Sequence, residues 1–312
     1  MYKYKNGQAR PIKDNADISG YILKKDSLKQ VGSEIKEEIN IEKNINVYDE
    51  LFINASHELR TPLNIIYGAV QLIEQYMSSD WKNDSYDKIA SSVSSIKRNN
   101  FRLMKLLNNI LDLHKLEAGL FKLNYSYVNI VEVVEDVVQS VSEKIKLKNI
   151  AVTFDTDTEE KYIMADVEVI QRVLLNLMSN AVKFSNPEDK IFINVTVNNN
   201  SINIAVTDTG IGIDKRNLKN IFNKHSQIDK SISRNTEGSG LGLVISKALI
   251  EAHEGSINII SKINKGSTFI VKLPCKRNDN VYTLYTNKVF NYDNLKEMIN
   301  IEFSDIDDIY IS

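Results

Sequence analysis

Residues 56–63 read Ser-His-Glu-Leu-Arg-Thr-Pro-Leu, and they lie within an apolar pattern typical of an amphipathic helix. His57 is one of four histidines among 312 residues, and the neighbouring Glu58 could orient its imidazole. Pro62 removes a backbone donor, so we expect it to bend this helix. The helix is predicted from about residue 47 to 77, and its apolar stripe comprises Leu51, Ala55, Leu59, Ile66, Val70 and Ile73.

A second amphipathic helix follows the polar loop 78–84 and has the clearest periodicity in the chain. Its stripe alternates spacings of four and three with one polar interruption: Ile89, Val93, Ile96, Asn100, Leu103, Leu107 and Ile110. The two helices predict an antiparallel hairpin that cannot bury this stripe alone. Because each buried Leu or Ile contributes about 1.5–3 kcal/mol, we expect two copies to form a four-helix bundle. A monomeric bundle covered by another part of the chain is the alternative.

Beyond residue 120 the pattern alternates between helices and antiparallel hairpins. Helical periodicity covers about 130–145 and 166–184, and strand alternation pairs 191–197 with 202–206 and 257–259 with 269–273. This combination predicts an α+β sandwich, in which helices cover one face of a mixed sheet. A shorter helical pattern lies at 28–39, and the segment 276–312 is polar with scattered aromatic residues.

The composition restricts the class of protein. The length suits two or three small domains, and the net charge of −2 argues against nucleic-acid binding by phosphate neutralisation. The single cysteine, Cys275, excludes an intramolecular disulfide and a multi-cysteine metal site. No window approaches the roughly 18 apolar residues of a membrane helix, and no secretory signal opens the chain. We therefore expect a cytoplasmic protein without a membrane segment.

One face of the predicted helix 166–184 carries Asn176, Asn180 and Lys183. Amide oxygens are suitable ligands for hydrated Mg²⁺, and an ammonium group suits a polyphosphate. By pattern alone, a solvated polar face is the favoured interpretation.

Two glycine motifs follow in the same predicted domain. Asp208 precedes Gly210 and Gly212 at the end of the first hairpin, where glycines would let a flat ligand approach the backbone. The sequence Gly-Ser-Gly-Leu-Gly then leads into a helix, where backbone amides and the helix dipole favour phosphate. Its glycines are Gly238, Gly240 and Gly242. Taken singly, the first motif is better explained as an ordinary turn that leaves a strand, and the second is weak evidence because it is often just a flexible turn.

In their order along the chain, these four motifs resemble those of the sensor histidine kinases of two-component signalling. The resemblance covers about residues 47–273. It implies a dimerisation and histidine phosphoacceptor domain at 47–119, whose all-α antiparallel hairpin forms a dimeric four-helix bundle. It also implies a catalytic ATP-binding domain at 120–275, an α+β sandwich of the Bergerat type shared with gyrase and MutL. Residues 1–46 would be an N-terminal segment and linker helix, with a remnant of a sensor domain as one interpretation, and 276–312 a C-terminal tail.

The resemblance also implies residue roles. His57 would accept the phosphoryl group, Glu58 would hold the imidazole and help to take its proton, and Thr61 would position water for dephosphorylation of a partner. Asn180 would bind Mg²⁺. The other nucleotide contacts would be Asn176 and Lys183 near the phosphates, Asp208 on the adenine amino group, Gly210 and Gly212 along the base, and Gly238, Gly240 and Gly242 in the ATP lid.

The implied activity is ATP- and Mg²⁺-dependent autophosphorylation of His57. Transfer to an aspartate in the receiver domain of a response regulator would follow, with phosphatase activity as a further output of the homodimer. A dimeric nucleotide-binding scaffold with weak or no kinase output is the alternative, since His225 and Gln227 replace the Phe and Arg that the family often has in the lid. The other two histidines receive structural interpretations, His114 at the bundle edge and His253 as a polar or cationic cap at a helix end.

Overall fold

The structure is a computed structural model that describes residues 2–5, 8–11, 56, 58–77, 85–198, 200–223, 240–275 and 292–306. The chain divides into two units, Met1–His57 and Glu58–Ser312. In the first unit, strands β1 (Tyr2–Lys5) and β2 (Gln8–Pro11) form an antiparallel hairpin, which the sequence analysis did not predict. The helical pattern at 28–39 lies outside the described residues.

Two long helices open the second unit. Helix α1 covers residues 58–77 and continues through Pro62, and helix α2 covers Ser85–Glu117. The Lys88 Nζ atom lies 5.5 Å from the ring centroid of Tyr76, which places the end of α1 beside the start of α2. This arrangement confirms the predicted helical hairpin.

The hairpin exposes a broad apolar surface. Val93 and Leu107, both in the predicted heptad stripe, are 39% and 54% exposed. Other exposed apolar side chains of the two helices are Leu63, Ile65, Tyr67, Val70, Leu72, Met77, Tyr86 and Leu111. The buried positions of α2 are mostly polar, namely Ser85, Ser92, Asn99, Asn109 and the apolar Leu113. The described part of the chain therefore leaves Val93 and Leu107 of the α2 stripe exposed and buries the other apolar positions of that stripe only in part.

A five-stranded mixed sheet forms the centre of the second domain. Its strands are β4 (Ala151–Thr156), β6 (Lys190–Asn198), β7 (Ser201–Asp208), β8 (Ser256–Ser261) and β9 (Ser267–Pro274). Their order is β4-β6-β7-β9-β8; β4 and β6 are parallel, and all other neighbours are antiparallel. The pairs β6–β7 and β8–β9 are the two hairpins that the strand alternation predicted. Two short strands, β3 (Ser126–Asn129) and β5 (Tyr162–Ala165), pair separately.

Three helices contact this sheet: α3 (Ile130–Lys146), α4 (Val167–Lys183) and α5 (Leu241–Ala252). Along β6, Ile191 and Ile193 are buried whereas Phe192 between them is exposed, as expected for a sheet covered on one face. Helix α3 buries its apolar stripe, which comprises Val133, Val134, Val137, Val138, Val141 and Ile145. The α+β sandwich is thus confirmed.

A last helix, α6 (Tyr292–Glu302), lies in the region that the sequence described only as a polar tail. Its residues Leu295 and Ile299 are buried, as is Phe303 just after its end. These three positions recur every four residues, so they form one apolar stripe. The helix contacts α3 and α4 of the sandwich and α2 of the hairpin, and it therefore packs against both domains.

Candidate functional site

Helix α4 provides the platform of the predicted nucleotide site. Its first turn is capped by Asp166, whose Oδ1 accepts a hydrogen bond from the Val169 N–H at 3.4 Å. At its other end, Asn180 and Lys183 are half-buried, and the Lys183 Nζ lies 6.0 Å from the ring centroid of Phe184. The end of α4 therefore presents an amide and an ammonium group at the edge of the domain.

Asn176, one turn earlier on α4, is buried between helices. Its Nδ2 donates to the Ser246 Oγ on α5 at 2.8 Å, and only 6% of the residue is exposed. A Cβ on Gly242 would lie 2.5 Å from the Asn176 Oδ1, so α5 can approach α4 this closely only with glycine there. In the structure Asn176 joins the two helices, and its assignment near the phosphates stays a prediction.

Asp208 ends strand β7 and is buried. Its Oδ1 accepts two backbone hydrogen bonds, from the Gly210 N–H at 3.0 Å and the Ser267 N–H at 3.3 Å. Burial raises the pKa of the Asp208 carboxyl above its ordinary value, although these hydrogen bonds lower it in part. A buried carboxylate in this environment is a candidate for accepting a hydrogen bond from a donor group of a ligand.

Gly210 and Gly212 lie where other backbone segments come very close. A Cβ on Gly210 would be 2.1 Å from the Phe184 carbonyl oxygen at the end of α4, and the Ile211 N–H donates to that same oxygen at 3.1 Å. Gly212 has a φ of +66°, and its Cβ would be 2.1 Å from the Lys262 carbonyl oxygen. The pattern predicts that these glycines let a ligand approach the backbone, and packing of the protein's own backbone also requires them.

The second glycine motif lies at the start of α5. Gly240 is the N-cap residue, with a φ of +66° and no capping side chain, and Gly242 packs against Asn176. Gly238, His225 and Gln227 lie outside the described residues. Gly242 packs against Asn176 within α4, and Gly210 packs against the Phe184 carbonyl oxygen at the end of α4. The two glycine motifs therefore contact the same helix.

The predicted phosphoacceptor motif begins helix α1. His57 itself lies outside the described residues, whereas Glu58 is half-buried and Thr61 is exposed. The structure therefore places Thr61 on an accessible helix surface and leaves the role of His57 as a prediction.

Comparison with known families covers both domains. The His Kinase A phospho-acceptor domain matches residues 49–119, and the ATPase domain described as histidine kinase-, DNA gyrase B- and HSP90-like matches residues 165–277. The chain belongs to the sensor histidine kinases of two-component signalling. The predicted family is thus confirmed, with both matches in the predicted order.

Two relatives and one solved structure illustrate the similarity of this histidine kinase chain. It is 32% identical over 251 residues to the non-motile and phage-resistance protein of Caulobacter vibrioides, covering 79% of this chain and 29% of that protein. It is 33% identical over 227 residues to the circadian input-output histidine kinase CikA of Synechococcus elongatus, covering 72% of this chain and 30% of that protein. The structure of histidine kinase ThkA in complex with response regulator protein TrrA aligns with a TM-score of 0.53 at 21% identity, covering 86% of this chain and 69% of that one. The chain thus spans about 30% of the length of these two relatives.

Two groups of the histidine kinase chain make contacts that the sequence did not predict. The His253 Nε2 accepts a hydrogen bond from the Asp166 N–H at 3.2 Å, so Nδ1, 2.9 Å from the Leu249 carbonyl oxygen, carries the proton. His253 is the C-cap residue of α5, which confirms the predicted polar cap, and it also links the end of α5 to the start of α4. The second group is a set of charges around Arg172, whose partners are Asp112 on α2 and Glu302 at the end of α6.

Within the described ranges, no helix has the length and apolar character needed to cross a membrane.

Proposed function

We propose that this chain is an ATP-dependent protein-histidine kinase that phosphorylates itself on His57 and passes the phosphoryl group to an aspartate of a response regulator. The observation that carries the proposal is that both glycine motifs contact helix α4 and its end, Gly242 at buried Asn176 and Gly210 at Phe184. Buried Asp208 is hydrogen-bonded to Gly210 beside this contact. The membership of the family supports the same reaction.

Asp208 is suited to hold the adenine end of the nucleotide. Both backbone N–H groups bond to its Oδ1, so Oδ2 would be the oxygen that accepts the adenine amino group. Binding of such a donor offsets the cost of keeping the carboxylate ionised while buried. Gly210 and Gly212 hold the adjoining turn against Phe184 and Lys262 without side chains that would fill the space.

The phosphate end would lie along the half-buried polar end of α4. The Lys183 ammonium would neutralise phosphate charge, and the Asn180 amide oxygen would be a ligand for Mg²⁺, which proteins often hold through one or two oxygens together with phosphates and water. Bound Mg²⁺ would stabilise charge on the β- and γ-phosphates. The N-terminus of α5, with Gly240 at its cap, adds a positive dipole end near Asn176, against which Gly242 packs.

The proposed chemistry needs one nucleophile in the right position. A neutral imidazole nitrogen of His57 would form a bond to the γ-phosphorus while the bond from phosphorus to the leaving oxygen of ADP breaks. Glu58 would accept the proton from the other ring nitrogen. A histidine with an ordinary pKa of about 6.5 is mostly neutral at the pH of the cytoplasm, where we propose that the protein acts.

The exposed apolar stripe of α1 and α2 supports a homodimer in which two hairpins form a four-helix bundle. Val93 and Leu107 expose apolar area that the described part of the chain does not cover, and burial in a second copy would remove it from water. The response regulator is proposed by analogy with ThkA, which was solved in complex with the response regulator protein TrrA.

The direct test is incubation with γ-labelled ATP and Mg²⁺, followed by mapping of the modified residue by mass spectrometry. An acid-labile, alkali-stable label on the peptide that contains His57 is the expected result. If calorimetry detects ATP binding but no phosphohistidine forms over several hours, the result would instead favour the alternative of a nucleotide-binding scaffold. A label on another histidine would contradict the assignment of His57.

Asp208→Asn is expected to weaken ATP binding by about 10- to 100-fold without destabilising the nucleotide-free protein. Because the pKa of Asp208 is raised in the folded protein, this group stabilises the fold at pH values below its unfolded-state pKa. That stabilisation is lost as the pH rises through the folded-state pKa. At neutral pH the ionised carboxylate therefore costs stability, and an amide removes that cost. Calorimetric titration with ATP and thermal unfolding without nucleotide measure the two effects.

The matched control for this prediction is Asp155→Asn, which changes an exposed aspartate on β4. Its ATP affinity and melting temperature should equal those of the wild type. If Asp208→Asn lowered the melting temperature and left ATP affinity unchanged, Asp208 would be a structural residue only.

Phosphatase activity is the second proposed output, and the exposure of Thr61 one turn after His57 favours it. Thr61→Ala should slow dephosphorylation of the phosphorylated partner by about tenfold or more, because a water-positioning group contributes on that scale, and should leave autophosphorylation unchanged. Unaltered dephosphorylation by the variant would remove Thr61 from the mechanism. The measurement follows loss of label from a purified phosphorylated response regulator.

A further inference from the structure

A row of exposed side chains follows helix α2 at intervals of seven residues, which is close to two turns of an α-helix. The members of this α2 row are Tyr86, Val93, Asn100 and Leu107. The positions of the heptad stripe that lie between them are half-buried, namely Ile89, Ile96 and Leu103. The α2 row therefore lies on the side of the helix that the described part of the chain leaves in water.

Helix α1 carries a matching row. Leu63, Val70 and Met77 are exposed and also recur every seven residues. The Lys88 Nζ lies 5.5 Å from the ring centroid of Tyr76, so the two rows belong to neighbouring antiparallel helices. Rows with heptad spacing pack against a partner with the same spacing, and a second copy of the hairpin provides it. In the proposed homodimer, the α2 row therefore faces the second copy.

Asn100 interrupts the α2 row with an amide. The preceding residue, Asn99, is 2% exposed, and its Nδ2 donates to the Ser95 carbonyl oxygen at 2.8 Å within the same helix. Asn100 is instead exposed, and dimerisation through the α2 row would take it out of water. An amide that leaves water without a hydrogen-bond partner costs free energy. The interface must therefore supply a polar partner for Asn100.

The symmetry of the dimer decides what lies opposite Asn100. If the two α2 helices are parallel, the two-fold axis follows the bundle and equivalent residues lie at the same level. If they are antiparallel, the axis crosses the bundle, and equivalent residues share a level only where it crosses. Two asparagines at one level can each donate to and accept from the other. The parallel arrangement therefore always brings the second amide to the level of the first.

We propose that Asn100 fixes the alignment of the homodimer by pairing with Asn100 of the second copy inside the four-helix bundle. The inference rests on the homodimer of the proposed function. A shifted or reversed hairpin would bury the amide against apolar members of the rows, such as Val93 or Leu63. One buried asparagine in a coiled coil sets register and chain number in the same way, at a cost in stability. Asn100 thus selects a hairpin with an amide at the same level, which another copy of this chain has.

Opposite charges at position 100 test the pairing in the full chain. Asn100→Asp sets two carboxylates at one level and Asn100→Lys sets two ammonium groups there, so each variant alone should raise the dimer dissociation constant by about tenfold or more. An equimolar mixture should form a heterodimer at least about tenfold tighter than either variant alone, because unlike charges then face each other. Sedimentation velocity measures the dissociation constants, and native mass spectrometry with one isotope-labelled variant identifies the heterodimer.

The matched controls are Asn108→Asp and Asn108→Lys. Asn108 is an exposed asparagine on the same helix but lies outside the α2 row. These changes should leave the dissociation constant unaltered, both alone and in a mixture. If the mixture of the two position-100 variants associates no more tightly than either one alone, Asn100 does not face its counterpart, and the proposal is overturned.

Asn100→Leu provides a second test, because it removes the amide and retains a side chain suited to the row. It should lower the dissociation constant by about tenfold and permit assemblies of more than two chains. Association that is unchanged or weaker would overturn the proposal. Since Asn100 is exposed in the single chain, these substitutions leave its fold intact, which circular dichroism checks.

The wild-type protein separates this inference from the proposed function. If it sediments as a monomer at every concentration, the proposed homodimer fails and the pairing of Asn100 fails with it. If it dimerises but the charged variants do not restore each other, the homodimer stands and only the inference is overturned. Labelling of His57 is measured independently, so a loss of kinase activity leaves the sedimentation result unaffected.

Discussion

His57→Gln protein incubated with γ-labelled ATP and Mg²⁺ is expected to incorporate no label above background, a loss of about 10³-fold or more. Glutamine has a side-chain amide but no ring nitrogen with a free lone pair, so it cannot form the bond to phosphorus. ATP binding should stay at the wild-type affinity, because the predicted nucleotide residues within the described ranges lie on α4, at the end of β7 and in the turn after it, and at the start of α5. Autoradiography and calorimetric titration with ATP measure the two quantities.

His114→Gln is the matched control for this change. His114 is exposed near the end of α2, and its replacement should leave both labelling and ATP affinity unaltered. Persistence of an acid-labile label in the His57→Gln protein would assign the acceptor to another residue. Loss of ATP binding in that protein would instead point to a wider structural defect.

Gly212→Ala should lower the stability of the ATP-binding domain by about 2–4 kcal/mol and abolish measurable ATP binding. Its φ of +66° disfavours any residue with a Cβ, and the added atom would lie 2.1 Å from the Lys262 carbonyl oxygen. A backbone carbonyl cannot move aside as the tip of a flexible side chain can. Chemical denaturation and ATP titration give the two measurements.

Gly68→Ala is the control glycine, since a Cβ there meets no atom within 4 Å and the residue lies within α1. It should be neutral or stabilise the protein by up to about 1 kcal/mol. If Gly212→Ala kept its stability and lost only ATP binding, ligand approach rather than backbone packing would explain the glycine. Retention of both properties would contradict the structure at this turn.

The hairpin and the sandwich could be predicted because each element shows its own local period. The heptad spacing of α2 and the alternation of Ile191, Ile193 and Val195 in β6 arise from side-chain direction along the element. The positions of Asn180 and Lys183 on α4 followed from the same rule. Local periodicity is therefore sufficient to place a polar face on a helix.

The partners of buried polar groups could not be predicted in this way. Asn176 and Ser246 are separated by 70 residues, and Arg172 and Asp112 by 60, so no local period connects them. Helix α6 was missed because its apolar stripe is short and lies in a segment that is otherwise polar. Glycine motifs were found, but sequence could not show that Gly210 and Gly212 abut backbone carbonyl oxygens.

The packing of α6 has a practical consequence for dividing this protein into fragments. The family match stops at residue 277, and a fragment cut there would retain every nucleotide residue named above. It would also strip the partner helix from α4 and leave Arg172 without Glu302. During synthesis, likewise, the ribosome adds the sheet and its three helices before it adds residues 292–306, which complete the packing against α4. An excised domain intended for crystallisation or inhibitor screening should therefore extend through at least residue 306.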